Sequence, residues 1–196
     1  MKVARRLLIA AGCLLLTASA ADAAILYFDF QGKAGPGLLT GNENHVVNGG
    51  GSGGELGSGI FYDDATNLLT LNFGWGSANG FADLSGNASA GHIHGPTAAG
   101  GAASFTQNAG VAYGLNALAG WTASQTSGGF SGTVTLTEAH EANLLAGQFY
   151  VNVHTSANGA GEIRGNLVRG VPEPGAAALL VLGALGGVAA RRRAAR

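Results

Sequence analysis

The chain has 196 residues, with 10 lysines and arginines, 11 aspartates and glutamates, and a charged fraction of 11%, well below the roughly 25% usual for globular proteins. Residues 24–170 carry three basic and nine acidic residues, a net charge of −6, which argues against nucleic-acid binding because this region would repel phosphate groups. The 35 glycines argue against a helical protein, and the single cysteine, Cys13, excludes a disulfide scaffold.

The N-terminus has the three parts of a secretory signal peptide. Three positive charges lie within residues 1–6, an apolar run covers residues 7–16, and the small residues Ala21 and Ala23 frame a cleavage site. We predict a signal peptide over residues 1–23 that signal peptidase removes after Ala23 or, as the alternative, after Ala20. The chain is therefore expected to be exported.

Short strand-like runs follow, separated by turn residues, and predict an all-β fold. A glycine-rich stretch at residues 49–54 predicts a flexible loop, and acidic residues at the start of residues 138–146 predict one short helix there. Seven or eight strands at this spacing favour an antiparallel sandwich or barrel of the immunoglobulin or superoxide dismutase kind. The predicted strands are residues 25–30, 59–62, 68–73, 90–94, 102–107, 132–137, 148–154 and 161–168.

Three of these strands alternate apolar and polar residues. Val151 and Val153 alternate with polar neighbours, and Ile93 and Ile163 do the same in their own strands. Because successive side chains in a strand point to opposite faces, aliphatic residues that line a core leave their polar neighbours together on the other face. If the strands are adjacent, that polar cluster consists of His92, His94, Asn152, His154, Glu162 and Arg164.

The histidines of this cluster suggest a metal site. His92 and His94 have Cα atoms about 7 Å apart on one strand face, and His154 can supply a third nitrogen, a set that suits copper or zinc. The alternative is a structural hydrogen-bond network without a cofactor, in which Glu162 and Arg164 pair with cross-strand neighbours. Arg164 counts against a cation and would suit an anion or a carboxylate.

Three separated motifs carry a family resemblance. Residues 91–96 (GHIHGP), 147–155 (GQFYVNVHT) and 161–165 (GEIRG) resemble the signature blocks of the CHRD domain, which is common in bacterial secreted proteins. The resemblance covers about residues 24–168 and implies an extracellular interaction module, which we assign to a domain over residues 24–170. We predict no enzymatic activity, because no serine lies in a nucleophile elbow and Asp63 and Asp64 are adjacent in a turn, where they cannot act as an acid/base pair. The block at residues 41–45 lacks the proline usual in that family, which leaves the role of Glu43 open.

The C-terminal tail has its own recognisable order of parts. Pro172, Glu173 and Pro174 precede an apolar run at residues 175–190, and an arginine cluster follows at Arg191, Arg192 and Arg193. This order resembles the PEP-CTERM sorting signal of Gram-negative bacteria, which implies an exosortase-type processing protease as a partner and transient membrane anchoring through residues 175–190. The alternative is a plain C-terminal membrane anchor with its arginines held inside.

Together these features predict an exported, non-enzymatic CHRD-domain protein of the cell envelope or the extracellular space. It would be an interaction or matrix component, with exopolysaccharide or other envelope proteins as its candidate partners and no nucleic-acid partner. The alternative function is copper or zinc binding through His92, His94 and His154.

Overall fold

The computed structural model describes residues 24–122 and 125–170. The predicted signal peptide at residues 1–23 lies outside these ranges. So does the predicted tail at residues 171–196, which contains the Pro-Glu-Pro motif and the arginine cluster. Both stay predictions. Within the described ranges, no helix is long and apolar enough to cross a membrane.

Nine antiparallel strands make up the domain. They pair in the order β6-β5-β8-β9-β1-β3-β4-β7, and the short strand β2 pairs with both β3 and β9. The prediction of an all-β fold with one short helix is confirmed, and the arrangement is consistent with a sandwich. The strands are β1 (Ile25–Gln31), β2 (Leu38–Leu39), β3 (Ser52–Asp63), β4 (Leu68–Trp75), β5 (Ala88–His94), β6 (Val111–Gly114), β7 (Gly128–Thr135), β8 (Tyr150–Thr155) and β9 (Ile163–Arg169).

Aromatic side chains pack inside the domain between segments that are not paired with each other. Phe30 of β1 and Phe73 of β4 meet edge to face, with ring centroids 5.6 Å apart. Trp75 of β4 packs against Trp121, with centroids 5.0 Å apart, and Trp121 also lies against Gly91 of β5, where a Cβ atom would collide with the indole ring. Burial of these large apolar surfaces is the main source of stability for the fold.

The glycine-rich stretch at residues 49–54 was predicted to be a flexible loop, and for Ser52 to Gly54 that prediction is wrong. These residues begin β3, where Gly53 pairs with Leu38 of β2 and with Trp75 of β4. A Cβ atom at Gly53 would come within 2.4 Å of the Gly74 carbonyl oxygen. The glycines therefore allow a close approach of strands rather than flexibility.

Residues 102–107 were predicted to form a strand, and that prediction is also wrong. Gly101–Thr106 is a 3₁₀ helix, in which the Ser104 hydroxyl donates to the Gly101 carbonyl at 2.7 Å. Local bonds of this kind offer the backbone an alternative to sheet pairing. The strand that pairs with β5 at this edge is β6, four residues further along the chain.

The predicted helix at residues 138–146 corresponds to α1 (Glu138–Leu145). The Thr137 hydroxyl accepts from the backbone N–H of His140 at 3.2 Å and so caps the first turn. Gly147 follows with φ of +68°, a left-handed conformation that ends the helix at little cost for glycine.

Two loop segments cover the polar face of β8 and β9. The Asn42 amide donates to the Arg164 carbonyl at 3.1 Å, and the Arg164 guanidinium donates to the carbonyls of Ser104 and Gln107 at 3.2 and 2.7 Å. Asn152 and Asn166, on the same strands, are also buried. The face opposite the apolar core is therefore a second, polar interior layer rather than a solvated surface.

Candidate metal centre

Strand pairing brings the three histidines of the predicted cluster together. His92 and His94 lie on β5 and His154 lies on the neighbouring strand β8, where His154 pairs with Ala90 and Asn152 pairs with His92. The alternate residues Ile93, Val151 and Val153 are fully buried in the apolar core. Because side chains alternate between the two faces of a strand, the same residues that line the core place the imidazoles together on the opposite face.

One nitrogen from each imidazole contributes to a compact set. These three atoms all lie within 4.8 Å of one another. His92 Nδ1 is hydrogen-bonded to His154 Nε2 at 2.9 Å. The ring centroids of His92 and His94 are 5.5 Å apart, and those of His94 and His154 are 6.0 Å apart. The three rings thus surround one small volume.

Backbone carbonyls set the orientation of two of the rings. His94 Nδ1 donates to the Ala109 carbonyl at 2.9 Å, and His154 Nδ1 donates to the Gly159 carbonyl at 3.0 Å. Because a carbonyl oxygen can only accept, each Nδ1 carries the proton and each Nε2 keeps a lone pair. Metal-binding histidines are oriented in this way, with the second nitrogen bonded to a carbonyl or a carboxylate.

The pKa of each of the three histidines is lowered. Burial is the main cause in every case, and it lowers the pKa of His92 to about 4 with further contributions from His154 and His94. The hydrogen bonds to Ala109 and Gly159 act in the opposite direction on His94 and His154. The imidazoles are therefore neutral near pH 7, the form in which histidine binds a metal.

Arg164 is close to the cluster, but its donors bind elsewhere. The Tyr150 ring stacks parallel to the His94 ring at 4.9 Å, and Arg164 Cζ lies 3.5 Å from the centroid of the Tyr150 ring. The guanidinium donates to Asn108, to Asn166 and to the two loop carbonyls already described. Arg164 holds the covering loop in place, and its hydrogen bonds go to neutral oxygens of that loop and of β9.

Glu162 belongs to a different hydrogen-bond network from the histidines. Its two carboxylate oxygens accept from the Ser85 backbone N–H at 2.6 Å, from the Thr155 hydroxyl at 2.7 Å and from the Asn158 amide at 3.0 Å. Glu162 precedes β9, which begins at Ile163, so strand alternation does not determine where its side chain points. Its described bonds join the loop between β8 and β9 to the end of β8 and to the loop that contains Ser85.

Glu43 and Asn152 complete the surroundings of the cluster. Glu43 is 5% exposed, and neither its Oε1 atom nor the Oδ1 atom of Asn152 has a hydrogen-bond partner within residues 24–122 and 125–170. The other carboxylate oxygen, Oε2, lies 3.7 Å from Nδ1 of His45, whose Nε2 donates to the Gly161 carbonyl at 2.9 Å. Burial raises the pKa of Glu43, and His45, Arg164, Asn152 and Lys33 oppose that rise. The only sequence signal for Glu43 is its place in the block at residues 41–45.

A comparison with known protein families assigns the region that holds these residues. The CHRD domain model matches residues 37–167, which span about two thirds of the chain. The chain belongs to the CHRD domain family. The family expectation from the three motifs is thus confirmed, and membership is consistent with an extracellular protein. Comparisons with the curated proteins and with the solved structures find no match.

Proposed function

We propose that this CHRD-domain protein is exported and binds one copper or zinc ion through His92, His94 and His154. The observation that carries the proposal is the approach of three imidazole nitrogens to within 4.8 Å of one another on two paired strands. The sequence had offered metal binding as its alternative function, and the geometry of the described residues favours this alternative.

The spacing and chemistry of the three nitrogens suit such an ion. Two nitrogens that each lie about 2.0 Å from a tetrahedral metal are separated by roughly 3.3 Å. His92 Nδ1 and His154 Nε2 are 2.9 Å apart and share a hydrogen bond. An ion would take the place of the shared proton after the two nitrogens move apart by roughly 0.4 Å. Neutral imidazoles favour copper and zinc, whereas calcium and magnesium prefer oxygen ligands.

A purely structural network explains the same residues less well. In such a network each buried ring nitrogen would have a hydrogen-bond partner, because an unpaired buried polar atom destabilises the folded state. His94 Nε2 is buried and has no hydrogen-bond partner in the part of the chain that the structure describes. A lone pair held in this position by the Ala109 carbonyl is the arrangement expected of a metal ligand.

The experiment that tests the proposal is a metal titration of the purified protein without a histidine tag, followed by gel filtration and elemental analysis. We expect about one copper or zinc ion per chain in the wild type, and at least a tenfold loss of affinity in His94→Ala. His140→Ala is the matched control, because His140 bonds Tyr113 outside the cluster. A wild-type metal content near zero, or an equal loss of affinity in both variants, would refute the proposal.

An interaction or matrix role in the cell envelope is the second candidate function. Ile25 and Tyr27 of β1 are 47% and 49% exposed, and the Tyr27 ring lies 6.1 Å from that of Phe61, which leaves apolar surface for a partner. The candidate partners remain exopolysaccharide and other envelope proteins. Retention of wild type but not of Tyr27→Ser on immobilised exopolysaccharide from the producing bacterium would support this role, and equal retention of both would count against it.

Export and sorting are proposed from the two ends of the chain. Signal peptidase would remove residues 1–23, and an exosortase-type protease would process the tail that contains Pro172, Glu173 and Pro174. Intact-mass analysis of the protein from the envelope and the medium should find an N-terminus at Ala24 and a shortened C-terminus. A full-length chain in the cytoplasm would contradict this part of the proposal.

A further inference from the structure

Three unpartnered polar atoms belong to residues in or beside the histidine cluster. Among the described residues, five buried side-chain atoms lack a hydrogen-bond partner, and two of these are the indole nitrogens of Trp75 and Trp121. The other three are His94 Nε2, Asn152 Oδ1 and Glu43 Oε1. Buried polar atoms are nearly always paired in folded proteins, so a local concentration of unpaired ones suggests a missing ligand.

Asn152 connects the histidines to Glu43. It pairs directly with His92 across the strands and precedes His154 by two residues, so all three lie on one face. A Cβ atom built at Gly161 would be close to both Glu43 Oε1 and Asn152 Nδ2, which places the Asn152 side chain beside the carboxylate. Asn152 thus lies between the cluster and the buried carboxylate.

Gly161 leaves space where the carboxylate and the amide come together. A Cβ atom at Gly161 would lie 2.4 Å from Glu43 Oε1 and 2.6 Å from Asn152 Nδ2. Gly161 also has φ of +125°, a conformation that residues with a side chain rarely adopt. A larger residue at this position would push the Glu43 and Asn152 side chains away from each other.

The geometry points to an open coordination position on the proposed ion, facing Asn152 and Glu43. A water molecule occupies this position until a small exogenous ligand replaces it. This inference rests on the proposed function. Three protein ligands leave a tetrahedral copper or zinc ion with one free position. A water molecule there has two hydrogens to donate, and Asn152 Oδ1 and Glu43 Oε1 are two free acceptors. The Glu43 carboxylate would also offset part of the positive charge of the ion.

The test uses the full chain loaded with copper(II) and titrated with azide, whose charge-transfer absorption reports binding at an open position. We expect one azide per copper in the wild type. Glu43→Gln should bind azide at least threefold more tightly, because the anion loses a negative neighbour. Asn152→Ala should also bind azide more tightly, because the competing water loses an acceptor. The copper affinity of both variants should stay within about threefold of wild type, and Glu138→Gln on α1 is the control for loss of a carboxylate.

The outcomes separate this inference from the proposed function. A chain that binds no copper overturns the inference, and one that binds neither copper nor zinc refutes the proposed function as well. Copper binding without azide binding, or a crystal structure of the copper-loaded chain in which the Asn152 oxygen is a direct ligand, overturns the open position alone. Azide binding that is equal in wild type, Glu43→Gln and Asn152→Ala overturns the roles of these two residues. Urea unfolding of the metal-free variants confirms folding, and a midpoint for Glu43→Gln at or above that of wild type is expected because burial disfavours the Glu43 carboxylate.

Discussion

The two faces of β5, β8 and β9 are stabilised differently. On one face Ile93, Val153 and Ile163 lie in the apolar core and are stabilised by close packing. On the other face Arg164 and Asn166 are equally inaccessible and are held by hydrogen bonds to two loops. Among the described residues, His94 and Asn152 on this face each leave one buried polar atom without a hydrogen-bond partner, and both belong to the histidine cluster. The contrast indicates that this part of the polar face is kept for a ligand rather than for stability.

Substitutions of two adjacent residues that point to opposite faces should give the largest difference in the free energy of unfolding. Val153→Asp places a carboxylate in the apolar core and should lower the free energy of unfolding by more than about 4 kcal/mol, enough to unfold the domain. His154→Ala changes the next residue, on the polar face, and should cost much less in the metal-free protein. Urea midpoints measure both variants, and equal losses would contradict the assignment of the faces.

Removal of the buried guanidinium tests how far the polar layer depends on hydrogen bonds. Arg164→Met keeps much of the side-chain volume, but it leaves the Asn108 and Asn166 amides and two loop carbonyls without their donor. We expect a loss of about 3 kcal/mol in the free energy of unfolding. A loss below about 1 kcal/mol in urea denaturation would mean that water replaces these bonds at little cost.

A metal ion should stabilise the polar face without any change in the apolar core. At a free metal concentration about 100 times the dissociation constant, ligand binding raises the free energy of unfolding by about 2.7 kcal/mol. The wild type should show this gain in thermal or urea unfolding, and His94→Ala should show none of it. A gain of the same size in both proteins would place the bound metal elsewhere.

The smallest expected effect is the pH dependence of the metal-free protein. Burial first, and then His154 and His94, lower the pKa of His92 from 6.5 to about 4, so the unfolded state binds more protons than the folded state between these values. The free energy of unfolding should therefore fall as the pH decreases through this window. Glu43, His45 and Arg164 are the other ionisable groups around the cluster. Urea midpoints from pH 7 to 4.5 should decrease less steeply for His92→Gln than for wild type, and identical slopes would contradict the account.

Local sequence patterns predicted the cluster but not its surroundings. Alternation along a strand depends only on neighbouring residues, so Ile93, Val151 and His154 could be assigned to faces from the sequence. The carbonyls of Ala109 and Gly159 orient two of the imidazoles, and backbone atoms carry no signal in residue identity.

The sequence placed other residues wrongly or left them without a role, because their positions depend on tertiary contacts. Glu43 reaches Asn152 from a loop more than 100 residues away in the chain, and no periodicity predicts such an approach. The glycines of β3 have low strand propensity, and only the proximity of Gly74 explains why they pair.

The most direct test of the central account is X-ray absorption spectroscopy of the purified protein loaded with one equivalent of copper(II) or zinc. The account predicts three imidazole nitrogens at about 2.0 Å from the ion, with one water oxygen completing the coordination. His92→Ala, His94→Ala and His154→Ala should each remove one imidazole contribution. A spectrum that fits one imidazole or none in the wild type would contradict binding of an ion by the three histidines.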